Sequence, residues 1–580
     1  MKRLITYLAL VAFFVSGCGN SDNFVFTNTN VNDPRAGVPA QLAFVTSPAQ
    51  TVDTDFSTPP VVEVQDVFGN RVAGATNEIT VSLVNPGTAV LNGQTTRNAV
   101  DGAATFTGLS VSEPGTYTLQ CASPGLEGDQ STSFTVDPQP VTLYGVGGGS
   151  DSTAPSRLFQ LDPSNGAILG YSDLIGDGTQ IGRISDIVCL PDGTILGSAN
   201  DLNNNGESLL VQIDPTNPTN GSVVIGSITV NAGVERISDL AYDETNDILY
   251  GVENSNGESI VIINTTTGAA TELPNGHGLD DQPASLAFDN VNGILYLSSS
   301  NDELATVNTT TGVATPIAAE SSDIIGMDFH PFTNELFASE KDGRLGEGGL
   351  EHFGILSTTN GQMNEIGFVW EDIIGIAFCE GNATQLSYPR ESSYTISSIT
   401  EQLIDVTGGT ALNFGDDDSS TQNIGFDFNF NGTDFSQVTI SSNGAVTFGA
   451  SGSIDCCVDR LPYTIEYPDN TLFTYWTDLD PNQAGDVYVD TLGTAPNRQF
   501  VVQWNATHID DGTNLFNIAL ILNENDDSFE YHYDVVNGSD PHLNNGWPAV
   551  VGLQISQTVV DVLSAFAPNI QNGTAFRFTP

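Results

Sequence analysis

Residues 238–250, SDLAYDETNDILY, contain the pattern that decides the fold. A short apolar strand, Leu240–Tyr242, is followed by a polar turn and then by a second strand, Ile248–Tyr250. Copies of the first strand begin at Ser185, Ser285, Gly326 and Gly375, at intervals of 41 to 53 residues. An internal repeat of this length indicates that one supersecondary unit is used several times.

Each unit continues into a third strand and a tight turn, as in Asn264–Gly268 and Asn308–Gly312. Four strands per unit predict a β-propeller over residues 141–382. The segment begins with Leu143–Val146, which matches the second strand of the repeat and has no first strand before it. Ile374–Phe378, at the far end of the segment, supplies the missing first strand. We therefore predict five blades, closed by pairing of the two ends. Six blades result if Asp201–Val230 contains another hairpin, and an irregular β-solenoid is the other reading.

Residues 38–137 show short alternating strands separated by Gly, Pro and Asn turns, which is typical of a β-sandwich. The turn Asp66–Val72 (DVFGNRV) resembles the corresponding turn of bacterial Ig-like repeats, and Gly102–Phe106 with Gly115–Tyr117 is similar to their second half. The resemblance implies a spacer or adhesive module and no catalytic residues.

Residues 386–580 form a third predicted unit. Ile424–Phe430 alternates with period two, Ile440–Gly449 predicts a hairpin with an Asn-Gly turn, and Trp476–Asp480 and Arg498–Trp504 follow. These segments resemble the nidogen-type (NIDO) extracellular domain of surface proteins. The resemblance implies a second sandwich-like β domain with a role in extracellular adhesion. The whole chain is thus expected to be all-β and multidomain.

The first 17 residues combine Lys2 and Arg3 with an apolar run that is too short to span a membrane, and Cys18 follows. This start resembles a bacterial lipoprotein signal, which implies acylation of Cys18 and a polar tether over residues 18–37. Because Gly19 and not aspartate follows, the resemblance implies an exported protein anchored in the outer membrane at the cell surface. An ordinary cleaved signal with an incidental cysteine is the alternative.

The chain carries 71 acidic and 14 basic residues, a net charge of −57. Such a polyanion repels nucleic acids and anionic membrane surfaces and attracts divalent cations. The six cysteines do not have the spacing of a small secreted disulfide framework or of a zinc site. Cys456–Cys457 is either a vicinal disulfide or two thiols on a loop.

Two acidic loops are candidate calcium sites, and Ca²⁺ is the only cofactor that the sequence suggests. Asp201, Asn203 and Asn205 place oxygens at alternate positions before Gly206, although Gln212 replaces the usual glutamate. Asp478, Asp480 and Asn482 repeat this spacing. Each loop is otherwise a solvated acidic turn, and Asp416–Asp418 is expected to be solvated.

The predicted channel of the propeller is the other candidate site. Asp186 and Asp239 occupy equivalent positions on adjacent blades, where they either fill a narrow channel or hold a cation or act as an acid/base pair. The sequence contains no familiar catalytic motif. We therefore expect a non-enzymatic surface protein that binds an extracellular glycan or protein and no nucleic acid. The alternatives are a structural envelope component and a propeller-type lyase or hydrolase.

Overall fold

The structure is a computed structural model that describes residues 35–51, 55–137, 140–147, 156–174, 181–201, 208–215, 222–230, 233–234, 236–253, 259–279, 283–299, 303–319, 323–341, 350–370, 373–381, 385–449, 469–539, 541–556 and 559–580. The chain divides into two compact units, Met1–Gln139 and Pro140–Pro580. Among the described residues, no helix is long and apolar enough to cross a membrane. The predicted signal peptide, Cys18, the loop residues Asn203 and Asn205, and Cys456–Cys457 lie outside the described residues.

The first unit is built from twelve short strands. They are Gln41–Thr46 (β1), Gln50–Thr51 (β2), Val61–Gln65 (β3), Glu78–Leu83 (β4), Leu91–Asn92 (β5), Thr96–Asn98 (β6), Ala103–Thr105 (β7), Ser110–Val111 (β8), Gly115–Tyr117 (β9), Leu119–Ala122 (β10), Asp129–Gln130 (β11) and Phe134–Asp137 (β12). They form sheets in the orders β1-β3-β7, β11-β10-β4-β6, β2-β12-β9 and β5-β8. The alternating burial of β4 places Ile79, Val81 and Leu83 in the core. The relationship to Ig-like repeats stays a prediction.

Asp66 explains the turn that the sequence analysis singled out in this unit. Its carboxylate accepts hydrogen bonds from the backbone N–H groups of Phe68 and Asn70 at 2.9 and 3.0 Å. It also accepts one from Gly37 at 3.0 Å. Three backbone donors thus converge on one buried side chain, which holds the turn and the incoming chain together.

Twenty-two strands follow in the second unit. They are Val141–Gly147 (β13), Ser156–Leu161 (β14), Ile168–Leu174 (β15), Ile181–Cys189 (β16), Ile195–Asp201 (β17), Ser208–Ile213 (β18), Ser222–Ser227 (β19), Thr229–Val230 (β20), Gly233–Val234 (β21), Ile237–Asp243 (β22), Ile248–Glu253 (β23), Ser259–Ile263 (β24), Ala269–Gly276 (β25), Pro283–Asp289 (β26), Ile294–Ser299 (β27), Glu303–Val307 (β28), Ala314–Ala319 (β29), Asp323–Phe329 (β30), Leu336–Lys341 (β31), Leu350–Leu356 (β32), Met363–Trp370 (β33) and Ile373–Glu380 (β34).

These strands form five antiparallel sheets in the orders β15-β14-β13-β34, β16-β17-β18-β19, β22-β23-β24-β25, β26-β27-β28-β29 and β30-β31-β32-β33. The first strands contact one another in the closed sequence β16, β22, β26, β30, β34 and back to β16. We call this assembly the five-sheet ring. The short strands β20 and β21 extend the outer edge of the third sheet. In the described residues, the segment considered for a sixth blade therefore adds no further four-stranded sheet.

The two ends of the ring meet in one sheet, as the sequence predicts. Strand β13 pairs antiparallel with β34, with Leu143 opposite Phe378 and Val146 opposite Gly375. A disulfide between Cys189 and Cys379 then joins β16 to β34, and its two Cα atoms are 5.3 Å apart. This disulfide was not predicted from the sequence, because its cysteines are 190 residues apart and only ring closure brings them together.

The last part of the chain forms two packed sheets. Its strands are Thr395–Ser398 (β35), Thr410–Ala411 (β36), Ser419–Phe430 (β37), Thr433–Ser441 (β38), Ala445–Phe448 (β39), Thr471–Trp476 (β40), Leu479–Leu492 (β41), Gln499–His508 (β42), Leu515–Asn523 (β43), Phe529–Val535 (β44), Val550–Ser556 (β45), Val559–Ala565 (β46) and Thr574–Thr579 (β47), with one 3₁₀ turn at Pro541–Leu543. The orders are β35-β47-β44-β43-β42-β41-β36 and β37-β38-β39-β40-β45-β46. We call this part the C-terminal sandwich.

An aromatic core separates the two sheets of the sandwich. The alternation predicted for residues 424–430 is confirmed, because Ile424, Phe426, Phe428 and Phe430 are all buried. The C-terminal sandwich also shares a second apolar cluster with the five-sheet ring, in which Trp547 meets Phe368 edge to face at 5.7 Å. The ring and the sandwich therefore belong to one packed unit.

Removing the disulfide should destabilise the second unit. Replacing Cys189→Ser together with Cys379→Ser releases a loop of 190 residues, and loss of a native disulfide costs about 2–5 kcal/mol. In urea unfolding followed by fluorescence, the double variant should have its midpoint at a lower urea concentration than the wild type. Dithiothreitol should lower the midpoint of the wild type and leave the double variant unchanged. Equal midpoints for oxidised and reduced wild type would contradict the prediction.

Candidate functional site

Five buried residues, one from each first strand, lie at the axis of the five-sheet ring. Asp186, Asp239, Ser285, Gly326 and Gly375 occupy equivalent positions on the five first strands, and all are buried. The packing is tight at Gly375, where an added Cβ would lie 2.2 Å from Oδ1 of Asp186. The five residues are therefore buried at the centre of the ring, and Gly375 is in close contact with Asp186.

Asp186 and Asp239 lie together, as expected for adjacent sheets. Oδ2 of Asp186 accepts a hydrogen bond from the backbone N–H of Leu240 at 2.8 Å, and Oδ1 of Asp239 accepts one from Leu286 at 2.8 Å. Each carboxyl therefore connects its own first strand to the next one. Burial raises the pKa of both groups well above the ordinary value, and the charge of Asp239 raises that of Asp186 further. A role in cation binding or acid/base chemistry stays a prediction.

Asp328 repeats this connection on the fifth sheet, and the sequence analysis missed it. Its Oδ2 accepts a hydrogen bond from the backbone N–H of Phe378 at 2.8 Å. Comparison of the repeat copies could have identified Asp328, because the equivalent position in three other copies is occupied by alanine, namely Ala241, Ala287 and Ala377. An isolated carboxyl in an apolar column is a better indicator of a special position than the surrounding acidic composition.

Asp328 also lines a small cavity of about 80 Å³ together with Glu244, Glu380 and His330. Burial raises the pKa of Asp328 to about 7. Burial and the charge of Glu380 raise the pKa of Glu244, whereas burial lowers that of His330. The cavity therefore brings together two carboxyl groups with raised pKa values, Asp328 and Glu244, and a histidine whose pKa is lowered.

A second cluster lies in the C-terminal sandwich. Carboxylate oxygens of Asp416, Asp417 and Asp478 all lie within 4.8 Å of one another. Burial raises the pKa of Asp478 to about 7, and the charges of Asp416 and Asp417 add to this effect. Oδ1 of Asp478 is buried and has no hydrogen-bond partner in the described part of the chain. We call these three residues the acidic cluster.

Asn443, from the predicted Asn-Gly turn, positions the acidic cluster. Its Nδ2 donates to Oδ1 of Asp417 at 2.9 Å, and its Oδ1 accepts from the backbone N–H of Leu479 at 2.9 Å. Gly444 follows with φ +78°, and an added Cβ would lie 2.0 Å from the carbonyl oxygen of Tyr475. The buried turn thus connects the loop before β37 to the segment before β41.

The other predicted ligands are placed differently. Asp480 is buried, its Oδ1 accepts a hydrogen bond from the backbone N–H of Asn482 at 2.9 Å, and it lies outside the acidic cluster. Asp416 and Asp417 are exposed, as expected for solvated residues, yet the fold places them beside Asp478. Sequence spacing along one loop missed this grouping, since the residues come from segments about sixty positions apart. Asp201 ends β17 and is buried, and the rest of its predicted loop is not described.

The raised pKa of Asp328 predicts a pH dependence of stability. Between its ordinary value of 3.8 and about 7, the folded chain keeps a proton that the unfolded chain has released. This group therefore lowers the free energy of unfolding as the pH rises through that window and adds no further change above it. Asp328→Asn, which resembles the neutral form, should be more stable relative to wild type at pH 7.5 than at pH 4.5.

Chemical unfolding of both proteins at the two pH values measures this difference. Asp427→Asn is the matched control, because Asp427 is an exposed strand residue of the C-terminal sandwich. An equal difference between wild type and Asp328→Asn at both pH values would show that Asp328 titrates normally.

Two parts of the chain match known families. Residues 393–580 match the NIDO-related family, which confirms the resemblance to the nidogen-type domain in this region. Residues 133–326 match a repeat of unknown function, DUF6923. Among curated proteins, no sequence matches the chain.

The solved structures that match the chain include a protein of unknown function from Bacteroides thetaiotaomicron, at 12% identity and a TM-score of 0.28, covering 55% of this chain and 84% of that one. An auxiliary nutrient binding protein from Bacteroides ovatus matches at 11% identity and a TM-score of 0.25, covering 63% of this chain and 94% of that one. Scores this low carry no argument about function. The chain is therefore an all-β protein in which residues 393–580 match the NIDO-related family and residues 133–326 match DUF6923.

Proposed function

We propose that this protein is an exported, lipid-anchored surface protein that binds an extracellular glycan or protein ligand and uses Ca²⁺ to stabilise its C-terminal sandwich. The observation that carries the proposal is the acidic cluster, with the buried and unpartnered Oδ1 of Asp478. The anchoring at Cys18 is supported by the sequence of the N-terminus alone.

The donor set fits calcium. Ca²⁺ is a hard cation that prefers carboxylate and carbonyl oxygens, and it tolerates irregular coordination. Asp416, Asp417 and Asp478 offer only oxygen atoms, and a bound cation would offset their mutual repulsion. In its absence, the buried Oδ1 of Asp478 has no hydrogen-bond partner in the described part of the chain, which is unfavourable.

The position of the acidic cluster suggests what calcium would do. Asp416 and Asp417 belong to the loop before β37, whereas Asp478 precedes β41, and these strands lie in different sheets. A cation held by all three residues would join the two sheets at one end of the sandwich. Loops joined in this way lose less conformational freedom on binding a ligand, which favours affinity.

The cavity beside Asp328 supports a hydrolase or lyase as the second candidate, because a carboxyl with a pKa of about 7 suits general acid/base catalysis. Its volume of about 80 Å³ is small, however, and corresponds to only a few water molecules. A substrate would require the cavity to open, so we rank catalysis below binding.

Calcium should stabilise the wild type. At a concentration one hundred times its Kd, a ligand that binds only the folded chain adds about 2.7 kcal/mol to the free energy of unfolding. Asp478→Asn should abolish this response, and it should also raise the stability of the calcium-free protein at pH 8 because it removes a buried charge. Differential scanning calorimetry with CaCl₂ or with EGTA measures both effects.

Asp427→Asn serves again as the control, since it removes one exposed carboxylate of the same sandwich. It should keep the full calcium response. A calcium response that survives in Asp478→Asn would remove the acidic cluster from consideration, and the loop that follows Asp201 would be tested next.

Binding itself should be visible on an array of glycans and matrix proteins. Soluble residues 19–580 should bind one ligand class saturably, with weaker binding in EGTA than in CaCl₂ and in Asp478→Asn than in wild type. A blank array in both conditions would favour the structural envelope role instead.

A further inference from the structure

An open cavity of about 300 Å³ lies at the mouth of the five-sheet ring. Its wall includes one residue from each first strand, namely Ser185, Ser238, Ala284, Ile325 and Ile374. Each of these residues directly precedes one of the five axis residues in the sequence. The axis residues themselves are buried, and the described wall of the cavity is formed by the residues that precede them. We call it the ring cup.

Two arginines stand on one side of the ring cup. Arg183 lies in β16 and Arg236 directly precedes β22, so they come from neighbouring sheets. Both begin the same tetrapeptide, Arg-Ile-Ser-Asp, at residues 183–186 and 236–239. The repeat therefore places two guanidinium groups and the hydroxyls of Ser185 and Ser238 at matching positions around the mouth.

The polar side of the cup has unused hydrogen-bonding capacity. Arg183 and Asn200 both line the cup. The donor Nε of Arg183 and the acceptor Oδ1 of Asn200 are buried and have no hydrogen-bond partner in the described residues. Over the same residues, neither arginine forms an ion pair, although the chain contains 71 acidic side chains. Buried polar atoms without partners are uncommon in folded proteins, and a ligand bearing an acceptor would satisfy this donor.

The opposite side of the cup is apolar, with Ala284, Ile325 and Ile374. In the sequence, the positions equivalent to Arg183 on the remaining sheets carry Gln282, Asp323 and Asp372, whose side chains are not described. The arginines thus come from the second and third sheets, and the described wall residues of the other three sheets are apolar.

We propose that the ring cup binds the terminal hexuronate residue of an extracellular glycan. The planar guanidinium group of arginine matches a carboxylate in a two-pronged geometry, and Ser and Asn side chains pair with sugar hydroxyls. The isoleucines would cover the C–H face of the sugar ring. A ligand with one carboxylate is favoured over a polyanionic chain, because the net charge of −57 repels the latter. This inference rests on the binding role proposed above and names its ligand class.

Isothermal titration of the full soluble chain with methyl β-D-glucuronide tests the proposal. The wild type should bind it at least tenfold more tightly than methyl β-D-glucoside, which lacks the carboxylate, and than acetate, which lacks the sugar. Arg183→Gln and Arg236→Gln should each weaken binding at least tenfold. Arg71→Gln, in the first unit, should bind like wild type. Free glucuronate is titrated as a further comparison, because the methyl glycoside represents a residue linked to a chain. Tighter binding of the free sugar than of the methyl glycoside would overturn the assignment to a chain terminus.

The melting midpoint with and without CaCl₂ separates this inference from the proposed function. Arg183→Gln should retain the wild-type midpoint and the calcium response, which shows that it is folded. Absence of glucuronide binding by a wild type that responds to calcium would overturn the ring cup as a hexuronate site and leave the binding role standing. Equal affinity of wild type and both arginine variants, or acetate binding as tight as that of the glucuronide, would overturn it as well.

Discussion

The pairing of β13 with β34 is the interaction on which the five-sheet ring depends. It joins residues 141–147 to residues 373–380, and every backbone partner on one side lies more than two hundred positions from its partner on the other. Without it, the first sheet would lack its inner strand and both ends of the repeat would expose unpaired edges. The Cys189–Cys379 disulfide reinforces the same junction, since it joins the closing strand to the second sheet.

Closure also determines the chemistry of the axis. Five first strands can approach one another only if the residues at their centre are small or have their polar groups hydrogen-bonded. Gly326, Gly375 and Ser285 meet the first condition. Asp186 and Asp239 meet the second, because each accepts a backbone N–H from the neighbouring strand. Their burial is therefore compatible with a stable ring.

Two local arrangements of charge stand out in this strongly acidic chain, namely the acidic cluster and the pair of arginines in the ring cup. Burial, together with repulsion from Asp416 and Asp417, raises the pKa of Asp478, and the same repulsion would make a bound cation favourable there. By contrast, Arg183 and Arg236 concentrate positive charge in the ring cup, where most of the chain is negative. The two features are complementary: one would recruit a cation for stability, and the other would recruit an anionic group as ligand.

The amino-acid sequence was sufficient to predict the all-β class, the repeat, the pairing of its two ends and the resemblance of the C-terminal region to the NIDO-type domain. These features follow from local alternation, turn residues and periodicity, which are properties of neighbouring positions. It also placed Asp186 and Asp239 on adjacent sheets. The folded structure was needed to establish the disulfide, the burial of the axis residues, the position of Asp328 beside a cavity, and the grouping of Asp478 with Asp416 and Asp417 in place of Asp480. Each of these depends on which distant segments meet, and spacing along a single loop carries no information about residues that approach from another sheet.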